Sequence, residues 1–334
     1  MSPSDSFSAM IVKEDEVGRF QRAIETKQLD ELPDGEVLIK VAFSSLNYKD
    51  ALSATGNRGV TRKFPHTPGI DAAGVVAESS HEAFTSGEAV LVTGYDLGMN
   101  TAGGFAQYIR VPAQWVVKLP ATLSLKESMT LGTAGFTAGL CVEQLLSHGI
   151  TPEKGPILVS GATGGVGSLA LAILAHLGFS VSAVSGKAEK EAFLRQLGAG
   201  EILSREAAQD SSGRPMLKAR WAGVVDTVGG EILATAIKST QLNGVVTCCG
   251  LVASPDLPIN VFPFILRGVM LIGIDSQECE RTRRLAVWEK LAGTWRPPHL
   301  AAMTTEVLLE NLDGYIERIL KGGVTGRIVV KIPE

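Results

Sequence analysis

The stretch SGATGGVG, residues 160–167, decides the fold that this sequence predicts. Before it, residues 156–160 (PILVS) form a short apolar run that is typical of a buried strand. After it, residues 166–177 stay apolar over the length of a helix. Further short apolar runs, the first at residues 181–184, alternate with stretches of helical spacing. Strands that alternate with helices predict βαβ units and a parallel sheet with both faces covered.

Small residues recur in this stretch at the spacing of a dinucleotide-binding turn. Ala162, Gly164 and Gly167 stand where the backbone must turn sharply, approach a pyrophosphate and let the helix pack on the strand. The N-terminus of the following helix supplies free N–H groups for phosphate oxygens. The alternative is a tight turn in an α/β protein that binds no ligand. The residues predicted to contact a cofactor here are Thr163, Gly164, Gly165, Val166 and Gly167.

The end of the next predicted strand indicates which dinucleotide is bound. Residues 181–187 read VSAVSGK and offer no acid to the ribose hydroxyls of NAD, since the first acid is Glu189. Ser185 and Lys187 instead offer a hydroxyl and a cation where the 2′-phosphate of NADP would lie. This pattern favours NADP, with a solvated loop lysine as the alternative.

Upstream of residue 123 the sequence has the pattern of a loop-rich β domain. Residues 35–45 alternate apolar and polar side chains as a half-buried strand does, and glycine and proline separate the next short strands. Residues 124–148 then have helical spacing, broken near 132–135. The C-terminal part is too short for a domain of its own, so we expect it to return to the first. The predicted domains are residues 1–122, completed by 276–334, and residues 123–275.

Composition excludes several classes of protein. Of 334 residues, 45% are hydrophobic and 20% charged, which predicts packed cores rather than disorder. The net charge of −4, without a basic block, argues against a nucleic-acid partner. Four scattered cysteines form no disulfide framework. Residues 1–16 lack the apolar core of a signal peptide, and no run reaches the ~18 apolar residues of a membrane span. We therefore expect a cytoplasmic protein.

Five further motifs carry a resemblance to a known family: LNYKD (46–50), PGIDAAG (68–74), LGTAGFTAG (131–139), PFILRGV (263–269) and GIDS (273–276). With the glycine stretch they resemble the medium-chain dehydrogenase/reductase superfamily. Within it they are similar to the YhdH/YhfP quinone-oxidoreductase-like group, which includes NADPH-dependent acrylyl-CoA reductases. The resemblance implies an α/β fold, in which a doubly wound Rossmann sheet is joined by a GroES-like β-rich catalytic domain. It also implies NADPH as cofactor and a homodimer.

The positions that hold catalytic zinc in zinc-dependent relatives carry other residues here. By the resemblance they are Asn47, Ile70 and Thr133, and none of these side chains is a good zinc ligand. No cysteine precedes Cys141, so the cysteine-rich structural-zinc loop is absent as well. We therefore expect metal-free chemistry. Hydride delivery from NADPH to an activated double bond or to a quinone fits that expectation.

The resemblance places the segment after Leu46 on the side that faces the cofactor. Reduction of an enoyl thioester needs donors at the thioester oxygen and an acid for the α-carbon. Asn47 is a candidate oxyanion donor, Tyr48 a candidate donor or pocket wall, and Asp50 a candidate for orienting both. The alternatives are that Asn47 caps the following helix, that Tyr48 packs, and that solvent supplies the proton.

Four more residues are predicted to bind the cofactor. By the resemblance, Thr133 and Thr137 lie near the nicotinamide. Cys249 and Gly250 follow a parallel strand, at the carboxyl end where such sheets bind ligands, and we expect backbone contact from them. Arg327, in the C-terminal strand, is a fifth candidate, for a phosphate of the cofactor or of a CoA substrate. The alternative for Arg327 is a solvated charge.

Three functions stay open at this point. The first is an NADPH-dependent reductase of an activated double bond, with acrylyl-CoA reduced to propanoyl-CoA as the leading reaction. The second is an NADPH:quinone oxidoreductase, for which 6% aromatic residues give no special support. The third is a non-catalytic NADPH-binding protein. The partner is thus a small molecule, either a CoA thioester or a quinone, and the edge strand near residues 269–274 is the expected pairing surface of a homodimer.

Overall fold

A computed structural model describes residues 6–333. Residues 1–5 lie outside this range. They belong to the segment 1–16, for which the sequence predicted no signal peptide. The strands are β1 Ser6–Glu14, β2 Phe20–Gln28, β3 Val37–Leu46, β4 Asp71–Ser79, β5 Ala89–Thr93, β6 Tyr108–Val111, β7 Val117–Lys118, β8 Ile157–Val159, β9 Val181–Val184, β10 Ala199–Leu203, β11 Trp221–Asp226, β12 Thr240–Cys248, β13 Met270–Gly273, β14 Thr304–Leu308 and β15 Arg327–Lys331. The helices are α1 Tyr48–Ala54, α2 Leu125–Ser147, α3 Gly165–His176, α4 Glu191–Gln196, α5 Gly230–Lys238, α6 Phe262–Arg267, α7 Arg281–Ala292 and α8 Asp313–Leu320.

The chain forms two compact units, each assembled from separate segments. Unit 1 comprises Met1–Thr133, Gln277–Leu285 and Leu300–Glu334. Unit 2 comprises Ala134–Ser276 and Ala286–His299. In residues 6–333 no helix has both the length and the apolar character needed to cross a membrane.

Unit 2 contains the predicted Rossmann sheet. Its six strands are all parallel and follow the order β10-β9-β8-β11-β12-β13, which is the doubly wound order 3-2-1-4-5-6. Every residue of β8, β9 and β11 is buried, because helices cover both faces of the sheet. The strand order reverses between β8 and β11. The carboxyl ends of these two strands therefore border the crevice in which such sheets bind ligands.

Unit 1 contains the predicted β-rich fold. Its main sheet has the order β14-β15-β3-β4-β5-β7, with β6 also paired to β3, and β1 pairs with β2 in a separate antiparallel hairpin. The C-terminal strand β15 lies between β14 and β3, so the end of the chain does return to the first unit. Inward-facing side chains of these strands, such as Ile39, Val92 and Ile328, form its hydrophobic core.

The structure divides the chain differently from the sequence prediction in two places. Unit 2 begins at Ala134 rather than at residue 123, and it includes Ala286–His299, which we expected in unit 1. Apolar packing inside unit 2 explains the second difference, because Trp288 of α7 stacks on Phe136 of α2 with ring centroids 6.3 Å apart. The predicted break in helical spacing is confirmed at Gly132, whose φ of 51° and ψ of −156° interrupt α2.

Candidate active site

The glycine turn of unit 2 packs directly against its own helix. α3 begins at Gly165, with Gly164 as its N-cap. A Cβ atom at Gly167 would lie 2.3 Å from the Gly161 carbonyl oxygen and 2.9 Å from the Ala162 Cα, so only glycine lets the helix approach this closely. The first backbone N–H groups of α3 have no acceptor within the helix. This turn therefore has the shape and the donors that a pyrophosphate requires.

The end of β9 lies beside this turn, as its sequence indicated. The buried Ser185 hydroxyl is 3.5 Å from the Thr163 hydroxyl, and its oxygen accepts a hydrogen bond of 3.0 Å from the Lys187 backbone N–H. Lys187 itself is half-buried. The structure thus brings the predicted residues of the glycine turn and those after β9 to one corner of unit 2.

Sequence reasoning missed one cation at this corner. Arg205 follows β10, and a Cβ atom built on Gly186 would lie 2.5 Å from its Nε and 2.7 Å from its Cζ. The Arg205 guanidinium therefore covers Gly186, between Ser185 and Lys187. The available signal was positional, since Arg205 is the first cation after the strand that pairs with β9. A hydroxyl and a guanidinium lie at this corner, and Lys187 is the next residue of the loop, which suits a phosphate better than a ribose diol.

The carboxyl end of β11 is tied to the glycine turn through a buried acid. The Asp226 carboxylate accepts hydrogen bonds from the Ser160 hydroxyl at 2.7 Å and from the Gly229 backbone N–H at 2.8 Å. Burial raises the pKa of Asp226. Because Ser160 also accepts from the Thr227 backbone N–H, the loops after β8 and β11 form one hydrogen-bonded rim.

Cys249 and Gly250 follow β12 and pack against this rim. The Cys249 backbone N–H donates to the Asp226 carbonyl oxygen at 3.0 Å, and a Cβ atom at Gly250 would lie 2.1 Å from the Thr227 carbonyl oxygen. A hydrogen bond with Cys141, together with burial, raises the pKa of the Cys249 thiol well above its usual value. A protonated thiol is a poor nucleophile, and backbone contact stays the prediction for the half-buried Cys249.

A cavity of about 580 Å³ opens at the carboxyl ends of β12 and β13 within unit 2. Cys249, Gly250 and Ile274 are among its lining residues. Thr137, another predicted cofactor residue, is buried and donates its hydroxyl proton to Ser276 Oγ at 2.9 Å. Thr137 thus stabilises the loop that follows β13.

In unit 1 the predicted catalytic residues surround a carboxylate that sequence reasoning had not singled out. Asp71, the first residue of β4, is fully buried. Its carboxylate accepts hydrogen bonds from the Ser45 hydroxyl at 2.6 Å, the Asn47 side-chain amide at 2.8 Å, and both the hydroxyl and the backbone N–H of Thr133 at 2.6 and 2.9 Å. Every one of these partners donates, so Asp71 acts as an acceptor only.

The Asn47 side chain is held at both ends inside this cluster. Its Nδ2 donates to Asp71 at 2.8 Å and makes longer contacts with Asp50 and the Ser45 carbonyl oxygen, while its Oδ1 accepts from Arg327 at 3.1 Å. No hydrogen is left for an oxyanion, so the role that the sequence suggested for this amide is corrected. Asn47 is instead the N-cap residue of α1, which was the alternative.

Arg327 is not the solvated charge of the alternative interpretation, since its exposed fraction is 3%. Its Nε donates to the Thr130 carbonyl oxygen at 3.0 Å, its Nη2 to the Ser45 hydroxyl at 2.8 Å, and its Nη1 to Asn47. Burial lowers the pKa of Arg327, and the nearby carboxylates oppose this effect. All three nitrogens have protein partners, so the predicted contact with a phosphate is corrected to a counter-charge inside unit 1.

Asp50, the predicted orienting residue, binds two backbone groups of unit 1. Its carboxylate accepts hydrogen bonds from the backbone N–H groups of Asn47 at 2.7 Å and Ile70 at 2.8 Å. The group is fully buried, and this burial, with the charge of Asp71 as the second cause, raises the pKa of Asp50 from 3.8 to about 7. Asp50 is therefore protonated in a large fraction of molecules near neutral pH.

The raised pKa of Asp50 predicts a pH-dependent stability. The folded protein holds this proton more tightly than the unfolded chain, so the stabilising contribution is complete below the ordinary value of 3.8 and is lost as the pH rises to about 7. The free energy of unfolding should decrease over this range by about 1 kcal/mol per pH unit relative to Asp50→Asn, which cannot titrate there. Urea unfolding of both proteins from pH 4 to 8 measures the difference, and parallel curves would contradict the assignment.

Tyr48 is the first residue of α1, and 39% of its surface is exposed. Within residues 6–333 no hydrogen bond is made by its hydroxyl. The next residue, Lys49, donates from Nζ to Gln277 Oε1 at 2.8 Å. Of the three predicted catalytic residues, only Tyr48 thus presents a proton donor at the surface of unit 1.

Two family models match this chain. The alcohol dehydrogenase GroES-like domain matches residues 33–121, and the zinc-binding dehydrogenase domain matches residues 165–291. In the part of the chain that the structure describes, no group of His, Cys, Asp and Glu side chains is arranged to hold a metal ion.

Three similar proteins cover almost the whole chain. Acrylyl-CoA reductase AcuI from Ruegeria pomeroyi is 44% identical over 98% of this chain and 99% of its own. YhfP from Bacillus subtilis, named provisionally as a quinone oxidoreductase, is 44% identical over 92% and 94%. Its structure with NAD bound has a TM-score of 0.95 and covers 98% and 100% of the two chains. The yhdH oxidoreductase from Salmonella enterica, solved with NADP, is 42% identical, with a TM-score of 0.95 and coverage of 98% and 100%.

Proposed function

The chain belongs to the medium-chain dehydrogenase/reductase family, and from this premise we propose that it is an NADPH-dependent reductase of an activated carbon–carbon double bond. The proposed reaction converts acrylyl-CoA to propanoyl-CoA. The observation that carries the proposal is the end of β9, where Ser185 and Lys187 follow the strand with no acid between them and the Arg205 guanidinium lies against Gly186. AcuI, at 44% identity over nearly the full length, supports the choice of substrate.

The residues of unit 2 fit NADPH. The turn at Gly161–Gly167 and the first N–H groups of α3 would hold the pyrophosphate. The turn packs closely on α3 because Gly167 has no Cβ atom, which would collide with the Gly161 carbonyl oxygen. Ser185, Lys187 and Arg205 would hold the 2′-phosphate. Bound NADPH supplies the hydride of the reaction. The NAD bound in the YhfP structure makes cofactor preference a necessary part of the test.

In unit 1, Tyr48 takes the donor role that the Asn47 amide cannot perform. Hydride addition to an enoyl thioester places negative charge on the thioester oxygen, and a proton must then reach the α-carbon. Tyr48 is an exposed residue, and its hydroxyl can donate to that oxygen or protonate that carbon. Asp50 and Asp71 hold Asn47, the residue before Tyr48, as described above.

The test of the proposed function is NADPH oxidation, followed by absorbance, with acrylyl-CoA and with a simple quinone at matched concentrations. We expect efficient turnover of acrylyl-CoA and a strong preference for NADPH over NADH. Turnover of the quinone alone would support the alternative that the name of YhfP suggests. NADPH binding without turnover of either acceptor would support a non-catalytic NADPH-binding protein.

Replacing Tyr48 by Phe should lower kcat for acrylyl-CoA about 10- to 30-fold, because one hydrogen bond to a developing charge is lost. The dissociation constant of NADPH should stay within about twofold, since the change removes only a hydroxyl group. Tyr315→Phe on α8 is the matched control, because Tyr315 packs against the core of unit 1. Equal kcat values for Tyr48→Phe and Tyr315→Phe would instead indicate that solvent supplies the proton.

We further propose that the protein is a homodimer that works in the cytoplasm. Within the described residues, β13 pairs on one side only, with β12, and Leu251, Phe262 and Ile265 expose large apolar side chains nearby in sequence. An open strand edge with apolar neighbours favours pairing with a second copy. The four cysteines are free thiols, which suits a reducing compartment. Sedimentation velocity at micromolar concentration tests the dimer, and a monomer would contradict it.

A further inference from the structure

The three positions that the resemblance assigns to catalytic zinc are all bound to carboxylates of this chain. Asn47 and Thr133 donate to Asp71, and the Ile70 backbone N–H donates to Asp50. Asp71 thereby connects β3, β4 and the part of α2 that follows its interruption at Gly132 at a single buried point.

Arg327 supplies the positive charge of this cluster from the C-terminal strand. Its Nη2 lies 3.8 Å from Asp71 Oδ2, and the Ser45 hydroxyl bridges the two by accepting from Arg327 and donating to Asp71. A buried ion pair is stable only when further hydrogen bonds satisfy both partners. That condition is met here, since Arg327 also donates to two backbone carbonyl oxygens and to Asn47.

We propose that Asp71 and Arg327 are a positioning pair, which fixes Asn47 and Thr133 as a bound metal ion would, and which acts on catalysis through Tyr48. This inference rests on the proposed role of Tyr48. Both side chains of the pair are buried, at 0% and 3% exposure.

The coupling to Tyr48 runs through the residue before it. The Asn47 side-chain amide donates to Asp71 and accepts from Arg327. Its backbone N–H donates to Asp50, so both the side chain and the backbone of Asn47 are fixed. In Asp71→Asn an amide N–H₂ group replaces one carboxylate oxygen. At least one of the present donors then faces another donor, and the Asn47 amide loses its fixed orientation.

The kinetic test combines Asp71→Asn with Tyr48→Phe. We expect Asp71→Asn to lower kcat for acrylyl-CoA about tenfold, and the double variant to lose no more than Tyr48→Phe alone, because both changes act on one group. Asp210→Asn is the matched control, since Asp210 forms an ion pair of 2.6 Å with Lys238 at 8% and 10% side-chain exposure in unit 2. Its kcat should stay within about twofold. Losses that multiply in the double variant would overturn the proposal.

A second readout needs no turnover and so separates this inference from the proposed function. The chain has four tyrosines, and fluorine NMR of fluorotyrosine-labelled protein assigns the Tyr48 resonance by its loss in Tyr48→Phe. Asp71→Asn should shift or broaden that resonance and leave those of Tyr108 and Tyr315 in place. An unchanged Tyr48 resonance would overturn the positioning role, whether or not acrylyl-CoA is reduced.

A milder variant covers the case in which Asp71→Asn does not fold. Ser45→Ala removes one hydrogen bond to Asp71 and one from Arg327 without leaving an unpaired charge. We expect a loss in kcat of about threefold in the wild-type background and none in the Tyr48→Phe background. A threefold loss in both backgrounds would overturn the proposal.

Discussion

Replacing Lys187 and Arg205 together by alanine should remove most of the preference for NADPH. The ratio of kcat/KM for NADPH to kcat/KM for NADH should fall about 1,000-fold, because each charge-assisted hydrogen bond to a phosphate contributes about 2 kcal/mol. Values with NADH should change little, since NADH carries no 2′-phosphate. Each single variant should give an intermediate loss, and initial rates with both cofactors measure it.

Two exposed cations of the same unit provide the control. Arg214→Ala with Lys218→Ala removes the same total charge from a surface loop of unit 2. This variant should keep the cofactor preference of the wild type, apart from a small effect of net charge that salt screens. If it loses the preference as well, the effect arises from the overall field of the protein and not from the corner beside Ser185.

Replacing Gly132 by alanine should lower the free energy of unfolding by about 4 kcal/mol. At a φ of 51° and a ψ of −156° the backbone is strained for any residue with a Cβ atom. That Cβ would also lie 2.5 Å from Asp71 Oδ2, 2.8 Å from Ser45 Oγ and 2.9 Å from Arg327 Nη2. The buried ion pair must therefore separate or shift, which adds to the backbone strain. Urea unfolding gives the difference.

Gly18→Ala isolates the contribution of crowding. Gly18 has a φ of +77°, and no atom lies within 4 Å of a Cβ built there. Its substitution should cost about 1–2 kcal/mol from backbone strain alone. Equal losses for the two variants would show that the Asp71–Arg327 cluster tolerates the extra methyl group.

The fold could be predicted because its signals are local. The alternation of apolar runs with helical spacing specifies a βαβ sheet, and the glycine spacing in residues 160–167 constrains eight consecutive residues. The domain boundary could not be predicted in the same way. It depends on Trp288 stacking on Phe136, a contact between residues far apart in sequence that no periodicity reports.

In the candidate site, too, residues with a local signal could be predicted and residues placed by distant contacts could not. Ser185 and Lys187 directly follow a predicted strand, so the sequence could single them out, whereas Arg205 lies against Gly186 because β10 pairs with β9. The role of Asn47 was misjudged because its amide is bound by Arg327, 280 positions away in sequence. The central position of Asp71 could not be predicted. It lies inside a quoted motif, but an acid at the start of a strand does not by itself indicate a functional site.

The position of β15 between β14 and β3 determines when the protein can finish folding during its synthesis. The Leu46 carbonyl oxygen accepts a hydrogen bond from Arg327, which is synthesised 281 residues later. Synthesis of these residues takes roughly 15–60 s at ribosomal rates. Throughout this time β3 carries an open strand edge, a site for aggregation that chaperones cover in the cell. Unit 2 ends at His299 and completes its sheet earlier. A nonsense mutation at the codon of Arg327, the first residue of β15, should therefore leave a chain with a folded nucleotide-binding half and an unfinished catalytic half, marked for degradation.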